Sequence, residues 1–203
     1  MSDPLLLIGC GGHARSLIDV VESSGCWNVL GLVGLSEQVG EEVLGYPVLG
    51  CDQDLPSLRQ QCTSALLAIG QIGLSPHRKR LAQVLRRLEF SLPVVISGSA
   101  HVSRHAQLGF GTSVGHGVVV NSGVNVGDFC ILNSNALIEH DAVIGDHCHI
   151  STGALVNGGT KIGNSSFIGS GAVLRDGLNL PPETVISAGK RVMGWPLREV
   201  CSK

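Results

Sequence analysis

The chain has 203 residues, enough for one large domain or two small ones with a true core. Its 14 Lys and Arg against 16 Asp and Glu give a formal net charge of -2, so no overall basic field exists to hold nucleic acid by counterion release. Glycine is abundant at 28 residues, charged residues are 15% and aromatics 3%, while 43% hydrophobic residues exclude a disordered chain and point to a core built without large rings.

Near the N-terminus Asp3 stands where a secretory signal would need basic residues, and the apolar run 5–8 is too short for a signal core. Nowhere do about 18 apolar residues run together, so no membrane span is expected. Residues 5–8 read as a buried strand instead, and Gly9, Gly11 and Gly12 turn the chain into an amphipathic helix carrying Leu17, Ile18, Val20 and Val21. Further strands are expected at 29–33 and 65–69. Ser75 then Pro76 is a helix start, cap followed by first-turn proline, and Leu81, Val84, Leu85 and Leu88 fall at i, i+3, i+4 and i+7 of one apolar face. Strands alternating with helices over residues 1–97 predict an α/β domain with a parallel sheet covered on both faces.

From residue 102 the period becomes six. Val102, Leu108, Val114, Val120, Val126, Leu132, Ile138, Ile144, Ile150, Val156, Ile162, Ile168, Leu174, Leu180, Ile186 and Val192 are sixteen successive aliphatic positions. Two residues earlier sits mostly a small side chain, as at Ala100, Ala106, Ala136 and Ala154, and glycine often follows the aliphatic, as at Gly109, Gly127, Gly145 and Gly169. A period of six fits neither a simple helix nor a flat sheet, but a coil of short strands stacks the aliphatics in ladders if three hexads close one 18-residue turn. Such a thin prism needs no large aromatic residues, and the glycines suit its tight corners. The period does not set the hand of the coil, and parallel crossovers are generally right-handed.

The run of [Leu/Ile/Val]-Gly-x-x-x-x hexads resembles the hexapeptide-repeat acyltransferases, which implies a left-handed parallel β-helix. A longer match, through LIGCGGHARS, AIGQIGLSPHRKRL and LNSNALIEHDAVIGDHCHIS, is similar to the two-domain sugar acetyltransferases of the bacillosamine N-acetyltransferase and sialic-acid O-acetyltransferase-like family. The resemblance implies a Rossmann-like domain over 1–97 that binds a nucleotide-linked amino sugar, then a left-handed β-helix over 98–203 that binds acetyl-CoA. It also implies three chains around a threefold axis, which fits a prism whose long flat sides need cover.

Acetyl transfer needs a base to take the proton of the attacking group, and imidazole titrates in the right range. His140, between Glu139 and Asp141, matches the family's catalytic histidine, and Asp141 beside it suits a carboxylate that fixes the tautomer. By the same resemblance Asn133 is a sugar contact and His149 a residue of the acetyl-CoA site; the alternatives are an amide ladder and a prism corner. Gly158, 18 residues after His140, is expected one turn along the same edge, and with Gly169 is assigned to the acetyl-CoA site, where a missing side chain admits the pantetheine arm. Gly9, Gly11, Gly12 and His13 are assigned to the nucleotide-linked sugar, since amides at a helix N-terminus attract anions; a bare strand-to-helix turn is the other reading.

His116, His140, His147 and His149 also raise a zinc site, but the H-x-H pair with distant histidines lacks a recognisable ligand spacing, and no metal is expected. Gly34 and Leu35 stand where relatives carry an acidic pair, which leaves the nucleotide open. The segment VMGWPLREV echoes a family element near the CoA adenine, with Leu197 and Arg198 in place of alanine and lysine. Arg78, Lys79, Arg80, Arg86 and Arg87 read as a solvated helix face, with phosphate contact as the other reading. Seven scattered cysteines without a C-x-x-C pair suit free thiols in the cytoplasm. The expected activity is acetyl transfer from acetyl-CoA to the amine of a nucleotide-linked amino sugar; O-acetylation of sialic acid or a related sugar, and a non-catalytic sugar-nucleotide scaffold, are the alternatives.

Overall fold

The apolar runs of the first third pair side by side in the computed structural model, which describes residues 3–196. β1 (Asp3–Ile8) lies in parallel between β2 (Trp27–Gly34) and β5 (Ala65–Leu67). β4 (Tyr46–Cys51) continues the sheet beyond β2, and β3 (Glu42–Val43) closes that side antiparallel, giving the order β3-β4-β2-β1-β5. Helix α1 (Gly12–Ser24) buries Leu17, Ile18, Val20 and Val21, and α3 (Pro76–Arg87) buries Leu81 and Leu85, as their spacing predicts. Sequence reasoning passed over β4 and α2 (Leu55–Gln61). Pro47 and Gly50 interrupt the alternation of β4, and α2 buries only Leu55 and Leu58.

The coil follows with seventeen two-residue strands among the described residues, from Val95–Ile96 to Arg191–Val192. Residues 18 apart are direct partners, as in Val120 with Ile138 and Ile138 with Val156, so three hexads make one turn. The strands form three flat faces. Face 1 carries the strands beginning at 95, 113, 131, 149, 167 and 185; face 2 those at 101, 119, 137, 155, 173 and 191; face 3 those at 107, 125, 143, 161 and 179. All sixteen predicted aliphatics enter one continuous core, Val102 and Leu108 at its margin. Face 1 is where the two halves join. Its first strand lies just before the boundary expected after residue 97, with Val95 in the core of the α/β domain and Ile96 against that of the coil.

The corners correct one detail of the sequence reading. The left-handed residue at each corner is not the glycine after the aliphatic but lies two positions on, at 111, 117, 123 and so forth, and is Asp at 141 and His at 147. The glycine after the aliphatic is needed for close stacking instead: a Cβ on Gly169 would stand 2.7 Å from the Ile186 carbonyl oxygen of the next turn. The edge between faces 3 and 1 also has its own chemistry. Its inward corner residues are Thr112, Cys130, Cys148, Ser166 and Thr184, and each bonds a carbonyl at that edge, as Cys130 does to Gly145 at 3.1 Å. The small residue of the repeat is thus a polar clasp on this edge, whereas the 1/2 edge uses Ala100, Ala136, Ala154 and Ala172 and the 2/3 edge mixes Ala106 and Ala142 with Val124, Leu178 and Thr160, the last also bonding a carbonyl.

Candidate active site

The sheet reverses its order at β1, and the carboxyl ends of its strands open onto a cavity of about 1120 Å³ whose far wall is face 1 of the coil. Gly9, Gly11, Gly12 and His13 form one side, while Asn133, His149, Ser151, Phe167 and Ser170 come from the coil. Gly9 has φ +121°, and a Cβ there would stand 2.9 Å from the Ala68 carbonyl oxygen, so only glycine fits the turn. Nothing lies within 4 Å of a Cβ on Gly11 or Gly12, and the N-cap Gly11 offers α1 no side-chain bond, so the helix presents unoccupied amides to the cavity.

Charge around this wall is arranged unusually. Arg78 is 1% exposed, donates from Nε to the Ile69 carbonyl at 3.1 Å and from Nη1 to the Phe129 carbonyl at 2.6 Å, and has no carboxylate partner among the described residues. Burial lowers its pKa only to about 10, so it stays cationic at neutral pH. Burial first, then His149 and Arg78, push His13 down to about 3, and its Nε2 has no partner among the described residues. His149 is lowered for the same leading reason. The reading of the basic set as a solvated face needs correcting at Arg78, while Arg80, Arg86 and Arg87 are exposed. Arg78 is a buried bridge between the two halves, and Lys79, Arg80 and Arg86 pair with Glu183 at 3.6 Å, Asp52 at 2.8 Å and Asp128 respectively, because α3 is wedged between the sheet and the 3/1 edge.

A second constellation sits on the edge between faces 2 and 3. His140 is exposed, its Nδ1 is 2.9 Å from Asp141 Oδ2, and Nε2 faces outward over Gly158, where a Cβ would stand 2.7 Å away. The Asp141 hydrogen bond, aided by the charges of Glu139 and Asp176, raises the His140 pKa. Asp141 has φ +59°, the left-handed conformation that recurs at the corners, which Asp tolerates better than most residues. Asn121 anchors Glu139 at 2.8 Å from the turn below. Since Asp141 accepts from Nδ1–H, Nε2 carries the lone pair of a base.

The predicted residues thus divide into two groups, with Gly169 apart from both. Gly9, Gly11, Gly12, His13, Asn133 and His149 share the cavity; His140, Asp141 and Gly158 share the 2/3 edge; Gly169 lies on the 1/2 edge beside Ser170, its missing Cβ accounted for by the turn above. Asn133 and His140 belong to the same turn, at opposite ends of the face 2 strand Leu137–Ile138. The four histidines considered for zinc are dispersed over the coil: His116 pairs with Asp19, His147 stacks on Phe129 at 5.2 Å, His149 lies on face 1 and His140 on the far edge. No group of three metal-ligating side chains forms among the described residues. No helix there is long and apolar enough to cross a membrane. Leu197 and Arg198 lie outside the described residues. Sequence reasoning missed Arg78 as a buried charge and Gln71, whose only signal was its place between two glycines after a strand.

Two family descriptions match: PglD N-terminal domain over residues 4–85 and bacterial transferase hexapeptide (six repeats) over 141–176. No curated protein matches the chain by sequence. Among solved structures, a histidine-to-asparagine variant of perosamine N-acetyltransferase from Caulobacter crescentus, in complex with CoA and GDP-perosamine, is 34% identical with a TM-score of 0.87, over 94% of this chain and 88% of that one. The acetyltransferase domain of PglB from Neisseria gonorrhoeae FA1090 is 30% identical with a TM-score of 0.86, over 95% and 92%. WeeI from Acinetobacter baumannii AYE, 21% identical over 97% and 99% with a TM-score of 0.72, shares the fold. With this identity sustained across both halves, the coil is a left-handed β-helix and the chain belongs to the hexapeptide-repeat sugar N-acetyltransferases, in which that helix follows a PglD-type N-terminal domain.

Proposed function

We propose that the protein transfers the acetyl group of acetyl-CoA to the amine of a nucleotide-linked amino sugar. The observation that carries this reading is the pairing, on one turn of the coil, of an exposed His140–Asp141 base with a cavity lined by free helix amides and backed by the uncompensated charge of Arg78. The cavity suits the diphosphate of a sugar nucleotide, with Gly9, Gly11, Gly12 and His13 about the phosphates and Asn133 toward the sugar. The relative solved with CoA and GDP-perosamine supports both ligands.

The chemistry follows from the tautomer. Nε2 of His140 takes the proton as the amine attacks the thioester carbonyl, Asp141 steadies the imidazolium, and CoA leaves as its thiol. The amide of Gly158, one turn on, holds the oxyanion, and its missing side chain gives the pantetheine arm room beside the imidazole.

Within one chain the base and the cavity stand at opposite ends of face 2, so the reading requires a second copy. The outward residues of face 2 are Val119, Leu137, Leu155 and Val173 between His101 and Arg191 at its two ends, whereas face 3 presents Gln107, Asn125, Val143, Lys161 and Asn179. We infer a homotrimer in which face 2 is covered by the neighbour; an axis parallel to the coil keeps heights equal, so His140 and Gly158 of one copy meet Asn133, His149 and Gly169 of the next. The six described cysteines are free, which supports a cytoplasmic setting.

The test is release of free CoA thiol by purified protein across a panel of nucleotide-linked amino sugars, their hydroxyl counterparts and sialic acid. Amine-dependent release is expected, and it should vanish in His140→Ala. Release only with hydroxyl acceptors would move the assignment to O-acetylation, and none with any acceptor would leave a sugar-nucleotide scaffold.

A further inference from the structure

The loop 70–74 between β5 and α3 stitches the sheet to the coil through one residue. Gln71, 4% exposed, donates from Nε2 to the His147 carbonyl at 3.1 Å, and its own carbonyl lies 2.5 Å from Nδ1 of His149. A carbonyl can only accept, so Nδ1 of His149 carries a proton. Burial, reinforced by the Arg78 charge and opposed by the Gln71 carbonyl, lowers the His149 pKa, so the ring is neutral and Nε2 is a bare lone pair. That lone pair faces Nδ2 of Asn133 at 3.3 Å, which must donate. Asn133 Oδ1 accepts from the Ser134 backbone N–H at 2.8 Å, which fixes the amide the same way round. Every group in this chain of bonds has one assignable role, and Asn133 keeps a second N–H to spend on a ligand.

We propose that Gln71 is a positioning residue of the transfer site: its carbonyl locks His149 as the Nδ1–H tautomer, and His149 holds the Asn133 amide so that its remaining N–H donates to a sugar oxygen of the bound nucleotide sugar. The inference rests on the function proposed above and deepens it. It gives His149 the part of an acceptor, with no ε N–H to offer an acetyl carbonyl. The same two bonds tie this wall of the coil to the nucleotide turn, because the loop that carries Gln71 also borders that turn, Gly70 lying against His13.

The test reads the tautomer and the kinetics separately. Nitrogen-15 NMR of the full-length protein at neutral pH, with His149 assigned from its loss in His149→Gln, should show one neutral tautomer, protonated at Nδ1 and bare at Nε2. Gln71→Ala, which frees the loop from the His147 carbonyl, should mix the tautomers and raise KM for the sugar nucleotide roughly tenfold, the worth of one hydrogen bond, while KM for acetyl-CoA holds. His149→Asn keeps a donor for the Gln71 carbonyl but has no acceptor at the ε position, and should show the same rise. Wild-type kinetics in His149→Asn would mean that His149 only anchors the loop and would overturn the proposal. So would an Nε2–H tautomer in the wild type, or a Gln71→Ala protein with tautomer and KM unchanged. Absence of any amino-sugar turnover in the wild type would refute the function instead, since the NMR reading does not depend on turnover.

Discussion

The imidazole of His140 lies directly over Gly158 of the next turn, with Nε2 and Cε1 at 2.7 and 2.8 Å from where a Cβ would stand. The two are 18 residues apart and share the 2/3 edge because the coil closes a turn every three hexads. An alanine at 158 therefore forces the ring outward. Because the ring is exposed, it can swing aside at little cost to folding, but it leaves its reacting position, and a displacement of about 1 Å is worth roughly 100-fold in rate. Gly158→Ala should lower kcat by about that factor with an almost unchanged thermal midpoint. An unimpaired kcat would remove His140 from the reaction.

The partnership of His140 with Asp141 sets the pH profile. A base must be neutral to work, and the Asp141 hydrogen bond raises the His140 pKa, so kcat/KM should fall on the acid side from a pH above that of an ordinary histidine. Asp141→Asn removes the charge and leaves at most a neutral amide oxygen as a weaker acceptor. It should move the acid limb to lower pH and reduce the plateau, since a less basic imidazole takes the proton less readily. Rate–pH profiles of the two proteins with one acceptor check this, and an unmoved limb would show that another group titrates.

Acid should weaken the fold through the histidines behind the cavity. His13 is held down to about 3 and His147 to about 4, both chiefly by burial, against an unfolded value of 6.5. Below pH 6.5 the unfolded chain binds protons that the folded one refuses, so stability is full above that pH and is lost as pH falls toward 4 and then 3. Each fully buried histidine contributes at most about 1.4 kcal/mol per pH unit within its window, and the half-buried His147 less. Urea unfolding of wild type and His13→Gln at pH 7, 6 and 5 should give curves that converge as pH falls. Parallel curves would show that His13 titrates normally in the folded state.

The coil was legible because its period is a property of every turn: any one of the sixteen aliphatics, Ile138 for instance, needs only the same inward geometry as its neighbours. The place of Gly158 beside His140 was legible for the same reason, as an 18-residue spacing is a distance along one edge, whereas His140 itself stood out only through its resemblance to a family motif. Gln71 and Arg78 were not. Each acts through carbonyls of residues far along the chain, Gln71 on His147 and Arg78 on Phe129, and no local pattern records a bond to a distant main chain. Within the basic run of α3 only Arg78 departs from the solvated face, and nothing local marks it, since a solvated arginine and one buried as a bridge are the same letter. Pro47 concealed β4 by breaking its alternation, though it is harmless beside the short antiparallel β3.

A site shared between copies makes a prediction that a site within one chain does not. If His140 of one copy serves the cavity of the next, a trimer of His140→Ala chains has three intact cavities and no base, and a trimer of Gly11→Glu chains, whose new side chain meets nothing within 4 Å at its Cβ and sets a carboxylate where the sugar-nucleotide phosphates would lie, has three bases and three blocked cavities. Each variant alone should be nearly inactive. Unfolded together in equal amounts and refolded, the chains assemble at random, and roughly one interface in four then joins a sound base to a sound cavity. Mixed assemblies should therefore regain up to about a quarter of the wild-type rate, while the two preparations combined without exchange stay inactive. Leu155→Glu, on the outward side of face 2, supplies the structural control, because a carboxylate buried in an apolar interface costs several kcal/mol and should release monomers on size exclusion. Recovery of activity requires base and cavity on different chains; mixed assemblies of confirmed composition that remain inactive would place both functions within one chain and remove the reason for face 2 to be apolar.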